Sequence, residues 1–320
     1  MTREITYIEA VAEAIEEEMG RDDDVILFGE DIEEFGGNFG ETAGLYDKYG
    51  DRVRNTPLAE IGIAGMALGA AVGGIRPVAE LQFADFAATA GDEIFNQIPK
   101  QPYVSGGSLE VPLTIFAPSG AGIGAGAQHS QSVHSWLGNV PGWVVVTATT
   151  PYDAKGLLKS AIRDDNPVFY LPHKALAETK GEVPDEEYTL PLGEAAVEKE
   201  GEDVTIVATQ VMFHRAREAA AELGVDAELI SPRTFAPLDT ETIAESVEKT
   251  GRLVVVDETV ERYGTQSYIA NEIVENHFFS FDAAPKTIGV KDVPIPVGPT
   301  LENEVIPGTE RIKAGIESVL

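Results

Sequence analysis

The sequence has no cysteine and few basic residues. The absence of Cys among 320 residues excludes disulfides, thiolate nucleophiles and iron–sulfur ligation by this chain. Its five His include no HxxxH or HExxH pair, so a transition-metal site built by this chain alone is not expected. No apolar run approaches the roughly 20 residues of a membrane span. The acidic N-terminus lacks the basic and apolar regions of a secretory signal. We therefore expect a cytoplasmic protein with no membrane association.

Acidic residues dominate the charge. There are 54 Asp plus Glu against 23 Lys plus Arg, which gives a formal net charge of −31. Such a field repels nucleic acid and anionic lipid, so neither is expected as a partner. Acidic runs such as 16–18, 22–24 and 185–187 are interpreted as solvated surface. The composition suggests the hypothesis of a halophile that keeps molar salt inside, because salt screens self-repulsion. Full stability at low salt would contradict this hypothesis.

The first part of the chain has the pattern of an α/β fold. Thr6 and Glu9 have the spacing of a capping box, and apolar residues then recur at helical spacing. Apolar runs at 25–28, 78–81, 111–117, 143–148 and 167–171 alternate with helical stretches at 84–98 and 153–163. This alternation is typical of a parallel sheet. Residues 61–74 are apolar and small on nearly all faces, which favours a buried helix packed closely against another backbone.

A polar stretch separates two predicted domains. Residues 178–192 contain two prolines and show no periodicity, so we interpret them as a linker between domains at 1–177 and 193–320. Beyond the linker, strands at 204–208, 226–230 and 252–257 alternate with helices at 211–223, 240–250 and 264–276. The second domain is therefore also predicted to be α/β.

Glu60 is the first candidate for chemistry. It stands in the segment Thr56-Pro57-Leu58-Ala59-Glu60, at the start of the small-residue helix. On spacing alone, the simpler interpretation is a helix-start acid facing the positive end of the helix dipole. The alternative is a partly desolvated carboxyl group, whose raised pKa would suit proton exchange with a ring nitrogen.

A glycine-rich loop at 119–126 follows a predicted strand and leads to Gln128-His129-Ser130. No Walker lysine and no periodic helix follow, so a nucleotide-binding loop is disfavoured. The glycines would equally allow a close approach of the backbone to a ligand or subunit. His129 is either an ordinary loop histidine or a proton carrier near neutral pH.

The segment 160–167 ends a predicted helix among carbonyl, carboxylate and amide oxygens. The simpler interpretation is a helix C-terminus with Asn166 turning the chain before Pro167. An oxygen-lined site for a hard monovalent cation is the alternative.

Together, several stretches resemble the beta subunits of pyruvate and branched-chain 2-oxoacid dehydrogenases, over almost the whole chain. They are LFGEDIEEFGG (27–37), NTPLAEIGIAGMALGAAVGGIRPVAELQF (55–83), VSGG (104–107), GAGAQHSQS (124–132), TTPYDAKGLLKSAIRDDNPVFYL (149–171), SPRTFAPLD (231–239) and DVPIP (292–296). The resemblance implies a pyrimidine-binding thiamine-diphosphate α/β domain followed by a transketolase C-terminal-type α/β domain.

The resemblance also implies roles for single residues. Glu60 matches the acid that forms a hydrogen bond with the aminopyrimidine ring of thiamine diphosphate. Phe86 matches the aromatic residue packed on that ring. Gln82 is expected to join them in binding the cofactor. His129 matches a histidine implicated in acyl transfer. The family's potassium site, formed mainly by backbone oxygens, is matched by Leu113, Ala161, Ile162, Asp164 and Asn166.

The lack of one family segment indicates that a partner subunit is required. The family holds the diphosphate through magnesium on a Gly-Asp-Gly segment, which this sequence lacks. The resemblance therefore implies an alpha subunit that carries the magnesium half, in a tetramer of two alpha and two beta chains. The expected reaction is oxidative decarboxylation of a 2-oxoacid, pyruvate or branched-chain, with reductive acylation of a lipoyl group on an acyltransferase core.

Two alternatives remain open. The same subunit architecture serves acetoin dehydrogenase, which cleaves a hydroxyketone. A non-catalytic scaffold of the same fold is the other possibility, although the presence of both Glu60 and His129 disfavours it. Ferredoxin-linked oxidoreductases are disfavoured by the lack of Cys.

Overall fold

The first long helix begins where the capping box predicts. The Thr6 side chain accepts a hydrogen bond from the Glu9 amide, and the Glu9 carboxylate accepts one from the Thr6 amide at 2.7 Å. These two bonds satisfy amide groups that the start of a helix leaves without partners. Helix α1 (Tyr7–Arg21) then buries an apolar face that includes Val11, Ile15 and Met19. The capping-box prediction is confirmed.

The computed structural model describes all 320 residues, which form two compact units. The first unit comprises Met1–Ser119 and Trp136–Leu192, and the second comprises Gly120–Ser135 and Gly193–Leu320. Along residues 1–192 the strands are β1 (Thr2–Thr6), β2 (Val25–Gly29), β3 (Val53–Asn55), β4 (Arg76–Glu80), β5 (Thr114–Phe116), β6 (Val144–Thr147), β7 (Val168–Leu171) and β8 (Lys180–Pro184). The remaining helices there are α2 (Leu45–Tyr49), α3 (Glu60–Val72), α4 (Gln101–Val104), α5 (His134–Gly138) and α6 (Pro151–Arg163).

The first unit is built on a parallel sheet. Its strands lie in the order β6-β7-β5-β4-β2-β3, and every neighbouring pair is parallel. The central strands are buried and rich in Val, Ile and Phe, as expected of a parallel sheet covered on both faces. Because all six strands point the same way, the residues that follow them gather at one edge of the sheet.

Helices α1 and α6 pack together in this unit through buried lysines. The Lys155 ammonium lies 2.6 Å from the Glu17 carboxylate, and the Lys159 ammonium is bonded to the same carboxylate at 2.6 Å. Both lysines are almost fully buried, whereas Glu17 remains partly exposed. The pairing allows a strongly acidic helix to be packed against the body of the unit.

The second unit contains a mixed five-stranded sheet in the order β14-β13-β10-β11-β9. All pairs are parallel except the one between β9 and β11. The strands of this region are β9 (Ala196–Lys199), β10 (Val204–Ala208), β11 (Ala227–Ser231), β12 (Thr234–Ala236), β13 (Leu253–Val260) and β14 (Lys286–Val290). The helices are α7 (Gln210–Leu223), α8 (Thr240–Thr250), α9 (Thr265–His277), α10 (Pro299–Val305) and α11 (Thr309–Glu317).

The structure differs from the sequence-based expectations in three places. The helix predicted at 84–98 is broken into a 3-10 turn (Ala84–Ala88) and a π-helical turn (Glu93–Gln97). The stretch 61–74 is helical as expected, but Ile61, Met66 and Val72 are exposed, so it is only half buried in this chain. The segment predicted as a linker contains β8, which pairs antiparallel with β1 inside the first unit. A short polar edge strand shows little periodicity, which explains why the sequence did not indicate it.

No helix of the chain combines the length and the apolar character needed to span a bilayer.

Candidate active site

Several acidic residues lie where β2, β3 and β4 end. Strand β2 is followed by Glu30 and Asp31, and β4 ends at Glu80. Next to them, β3 leads into Thr56, whose amide donates to the Gly29 carbonyl at 2.8 Å. In parallel α/β sheets, ligands bind at the carboxyl ends of the strands. This edge is therefore the natural position for a site in the first unit.

Glu60 lies at this edge, as the first residue of α3. It is partly exposed, and its charge acts on Glu30, which is 3% exposed. Burial, together with the negative charge of Glu60, raises the pKa of Glu30 to about 6. The nearby amide of Ala59 opposes this shift, but neither carboxylate oxygen of Glu30 has a hydrogen-bond partner of normal geometry. The pair thus combines an accessible acid with a buried one that is partly protonated near neutral pH.

Glu80 is a second buried acid, and it lies near Glu30. Its side chain is fully buried, and neither of its carboxylate oxygens has a hydrogen-bond partner. Burial raises its pKa well above the usual range, and the charges of Glu41 and Glu30 add to the shift. At Gly29, a Cβ would come within 2.7 Å of a Glu80 oxygen, so glycine is required for this close approach.

Glu30, Glu41 and Glu80 are not among the residues that the sequence predicted. The available signal was an acid directly after or at the end of a buried strand, in VILFG-Glu30 and in RPVA-Glu80. A buried carboxylate destabilises the fold unless donors or opposite charges offset its desolvation, and such perturbed acids are frequent at functional sites.

Two further predicted residues follow β4. The Gln82 amide nitrogen lies 3.5 Å from the Asp31 carboxylate, so Gln82 belongs to the same edge as Glu30. Phe86 stands in the 3-10 turn, partly buried, with its ring edge-on to Phe83 at a centroid distance of 5.7 Å. The structure thus groups Glu60 and Gln82 around the end of β2, and it places Phe86 on the turn that follows.

These groups fit one end of thiamine diphosphate. An aminopyrimidine ring can form hydrogen bonds with an acid and an amide and can pack against an aromatic ring. The buried carboxylates, whose oxygens have no hydrogen-bond partner of normal geometry, can hold protons beside it. No cluster of three or more His, Cys, Asp or Glu side chains suited to a metal exists in the chain. The residues therefore fit the pyrimidine end of the cofactor.

His129 belongs to the second unit. It is partly exposed and follows a turn in which its amide donates to the Gly126 carbonyl at 3.2 Å. The next residue, Ser130, is fully buried. The loop therefore presents His129 while holding its neighbour inside the unit.

A buried polar network lies close to this loop in sequence. The His134 ring is 2.9 Å from the Asp257 carboxylate and stacks on Phe235 at a centroid distance of 4.6 Å. Burial alone would raise the pKa of Asp257, but the charge of His134 and hydroxyl donors, including Thr209 and Thr259, hold it far below its usual range. The sequence did not indicate Asp257, because its ionic partner His134 is 123 residues away along the chain.

Four of the five residues expected to bind potassium, Ala161, Ile162, Asp164 and Asn166, lie in the last turn of α6 or directly after it, where a guanidinium group already lies. Nη1 of Arg76 donates to the carbonyls of Ile162, Arg163 and Asp164 at 3.3, 3.1 and 3.0 Å. The Asp164 carboxylate accepts bonds from the amide and the side chain of Asn166 at 2.8 and 2.9 Å. The Leu113 carbonyl accepts from Val168. A cation at a helix C-terminus is electrostatically favourable, and Arg76 supplies one.

Two families of known domains match the chain. The pyrimidine-binding domain of transketolase matches residues 3–179, and the C-terminal domain of transketolase matches residues 193–312. The solved "Split gene transketolase, inactive beta4 tetramer" is similar with a TM-score of 0.80 and 25% identity, over 99% of this chain and 98% of that one. The predicted fold class is confirmed.

Curated relatives cover nearly the whole chain. The beta subunit of acetoin:2,6-dichlorophenolindophenol oxidoreductase from Cupriavidus necator is 44% identical over 100% of this chain and 98% of its own length. The 2-oxoisovalerate dehydrogenase subunit beta of Bacillus subtilis is 41% identical over 98% of each chain. The mitochondrial pyruvate dehydrogenase E1 subunit beta of Dictyostelium discoideum is 42% identical over 97% of this chain and 90% of its own.

Proposed function

We propose that this chain, which belongs to the beta subunits of thiamine-diphosphate-dependent dehydrogenases, supplies the pyrimidine-binding half of a two-chain active site. The dehydrogenases of this family act on pyruvate, branched-chain 2-oxoacids and acetoin. The assembled enzyme decarboxylates a 2-oxoacid oxidatively and transfers the acyl group to a lipoyl group on an acyltransferase core. The observation that carries this proposal is the placement of Glu60 beside the buried Glu30 at the carboxyl edge of the sheet.

Each residue of this site has a defined task in the proposal. When bound, thiamine diphosphate supplies the electron sink for decarboxylation. Glu60 holds a proton at its carboxyl group for exchange with the aminopyrimidine ring, which is general acid–base work. Glu30 supports it, because a neighbour with a pKa of about 6 keeps a proton available near neutral pH. Gln82 and Phe86 orient the ring, and His129 serves the acyl transfer.

The alpha subunit provides the magnesium half in this proposal. The chain has no Gly-Asp-Gly segment and no metal cluster of side chains. Helix α3 supports a subunit interface, because Ile61 is 53% exposed and Met66 is 50% exposed although both are apolar. Exposed apolar faces of this kind mark contact surfaces. We propose a tetramer of two alpha and two beta chains, with the cofactor between them.

We also propose that a potassium ion binds at the C-terminal end of α6. Support comes from the helix dipole and from the carbonyl oxygens gathered there. Each carbonyl has two lone pairs, so one that accepts a bond from Arg76 can still contact an ion. The expected ligands are Leu113, Ala161, Ile162, Asp164 and Asn166.

The test is reconstitution with the alpha partner. The complex should bind thiamine diphosphate with magnesium and decarboxylate pyruvate or 3-methyl-2-oxobutanoate, and neither chain alone should do so. Glu60→Gln should lower turnover by about 10²- to 10⁴-fold, the usual contribution of a positioned acid or base. Glu34→Gln, an exposed acid on the neighbouring loop, is the matched control and should leave turnover unchanged.

Acetoin cleavage is the second candidate, favoured by the 44% identity to an acetoin oxidoreductase beta subunit. Assaying acetoin beside the two oxoacids separates the candidates. Turnover of none of the three, or turnover unaffected by Glu60→Gln, would contradict the proposal and favour a scaffold role.

A further inference from the structure

The loop that carries His129 is a closed structure. Residues Gly120–Ser135 cluster with the second unit, although the chain on both sides of them belongs to the first unit. The Gly120 amide donates to the Gln131 carbonyl at 3.2 Å and closes the loop. Four of its glycines, at 120, 122, 124 and 126, have positive φ angles. A backbone with alternating signs of φ turns amide groups inward and forms a concave anion site.

A carboxylate of the same chain fills this concave site. Oε1 of Glu302 accepts from the Gly122 amide at 2.9 Å, and Oε2 accepts from the Gly124 amide at 3.1 Å. Glu302 belongs to α10 and is only 2% exposed. Both oxygens are used, one for each amide, so the side chain fixes the position and the orientation of this part of the loop.

A second carboxylate holds the two ends of the loop. Oε1 of Glu258, in β13, accepts from the Ala121 amide at 2.5 Å and from the Ser132 hydroxyl at 3.3 Å. Ala121 is fully buried in the hydrophobic core of the second unit. The loop is therefore bonded before and after His129, and both acceptors are buried acids of the second unit.

The turn next to His129 also rests on the segment that leads into α10. Gly126 has a φ of +78°, and a Cβ there would lie 2.6 Å from Cγ2 of Val297. Since the His129 amide bonds to the Gly126 carbonyl, any shift of this contact would move His129.

We propose that Glu302, assisted by Glu258, is a positioning residue that holds the glycine loop and thereby places His129 for acyl transfer to the lipoyl group. The inference rests on the proposed function for the role of His129. Glu302 touches neither substrate nor cofactor in this proposal and acts only through the loop.

The test compares two half-reactions in the complex with the alpha subunit. Decarboxylation is followed with 2,6-dichlorophenolindophenol as electron acceptor, and acyl transfer is followed with a lipoylated acyltransferase domain. Glu302→Ala should lower acyl transfer by about 10- to 100-fold, since a displacement near 1 Å can cost that much. Decarboxylation should change by less than about threefold, because an interaction made only in one step affects only that step. Glu302→Gln keeps one acceptor oxygen, so its rate of acyl transfer should lie between those of wild type and Glu302→Ala.

The matched control is Glu304→Gln, an exposed acid of the same helix, which should change neither rate. In a His129→Ala background, Glu302→Ala should add little further loss, because the two act in series. Equal losses in both half-reactions, or fully additive losses, would overturn the proposal.

Hydrogen exchange gives a measurement that does not depend on activity. Amides 121–126 should exchange faster in Glu302→Ala than in wild type or Glu304→Gln, and unchanged exchange would overturn the anchoring itself. If the wild-type complex acylates no lipoyl domain, the proposed function is contradicted, and the anchoring is then decided by the exchange rates alone.

Discussion

Buried carboxylates behave in opposite ways in the two units. In the first unit, Glu80 is fully buried, its oxygens have no hydrogen-bond partner, and burial raises its pKa. In the second unit, Asp257 is equally buried, yet its pKa is depressed although burial opposes this, because His134 and several hydroxyl groups bond to it. Equal burial therefore gives opposite titration, and the hydrogen-bond donors decide the direction.

This difference distinguishes acids that hold the structure in place from acids at the candidate active site. Asp257, Glu258 and Glu302 have their charges satisfied by donors of the chain itself, and they fix backbone and side chains in place. Glu30 lies beside Glu60, and Glu80 lies near Glu30, and the carboxylate oxygens of both have no hydrogen-bond partner of normal geometry. Groups with perturbed pKa values gather at functional sites, because catalysis needs protons held near neutral pH. Binding of a ligand at this edge would explain why the chain keeps buried acids whose burial costs folding free energy.

The largest effect is expected where the satisfied network is broken. Asp257→Asn removes the charge that pairs with His134 and disturbs the bonds from Thr209 and Thr259. We expect a loss of about 3–5 kcal/mol in the free energy of unfolding at pH 7, as for other broken buried pairs. Chemical denaturation of the full chain measures it. Because the folded pKa is depressed, the contribution is present above about pH 4 and is lost as the pH falls below that.

A surface pair provides the control for that experiment. Asp292 lies 3.0 Å from Arg262, and both are more than half exposed. Asp292→Asn should change the free energy of unfolding by less than about 1 kcal/mol. Equal stabilities of Asp257→Asn and wild type at pH 7 would contradict the scaffold interpretation of the second unit.

A smaller effect of opposite sign is expected in the first unit. Folding raises the pKa of Glu80, so the protonated side chain contributes to the free energy of unfolding. This contribution is fully present below the pKa of the unfolded chain, near 4.3, and is lost as the pH rises through the pKa of the folded chain. Glu80→Gln removes this loss. It should therefore raise the free energy of unfolding of the chain at pH 8. At pH 4 the difference should vanish.

Thermal unfolding at both pH values measures the effect of Glu80→Gln. Glu4→Gln, an exposed acid of β1, serves as the control and should change little at either pH. A variant that is less stable than wild type at pH 8 would show that the charged form of Glu80 is satisfied in the folded chain, and the contrast between the units would disappear.

The sequence indicated the parts of the fold that depend on local pattern. The helix predicted at 240–250 is α8 (Thr240–Thr250), and the strand predicted at 204–208 is β10 (Val204–Ala208). Apolar periodicity and turn residues suffice for such elements. Glu60 was found through its neighbours in sequence, because the Thr-Pro-Leu-Ala-Glu segment is contiguous. Its catalytic role, like that of His129, stays a prediction.

The carboxylate network could not be predicted, because its partners are far apart in sequence. Glu302 bonds to Gly122 across 180 residues, and Glu258 bonds to Ala121 across 137. No local pattern distinguishes Glu302 from its exposed neighbour Glu304, since only the folded second unit determines which of them faces the loop. The same holds for Glu80, whose raised pKa depends on the fold around it.

The smallest effect tests a third kind of oxygen group, the carbonyls at the end of α6. They are partly satisfied, since Arg76 donates to those of Ile162 and Asp164. If potassium binds there as proposed, replacing NaCl by KCl at equal ionic strength should stabilise the chain by about 1 kcal/mol, the value expected when the ion is several times more concentrated than its Kd. Equal ionic strength keeps the screening of the net charge of −31 constant. Asp164→Ala, which removes the carboxylate that orients Asn166, should abolish the difference between the salts. Identical unfolding in both salts for the wild-type chain would mean that the guanidinium of Arg76 alone serves this helix end.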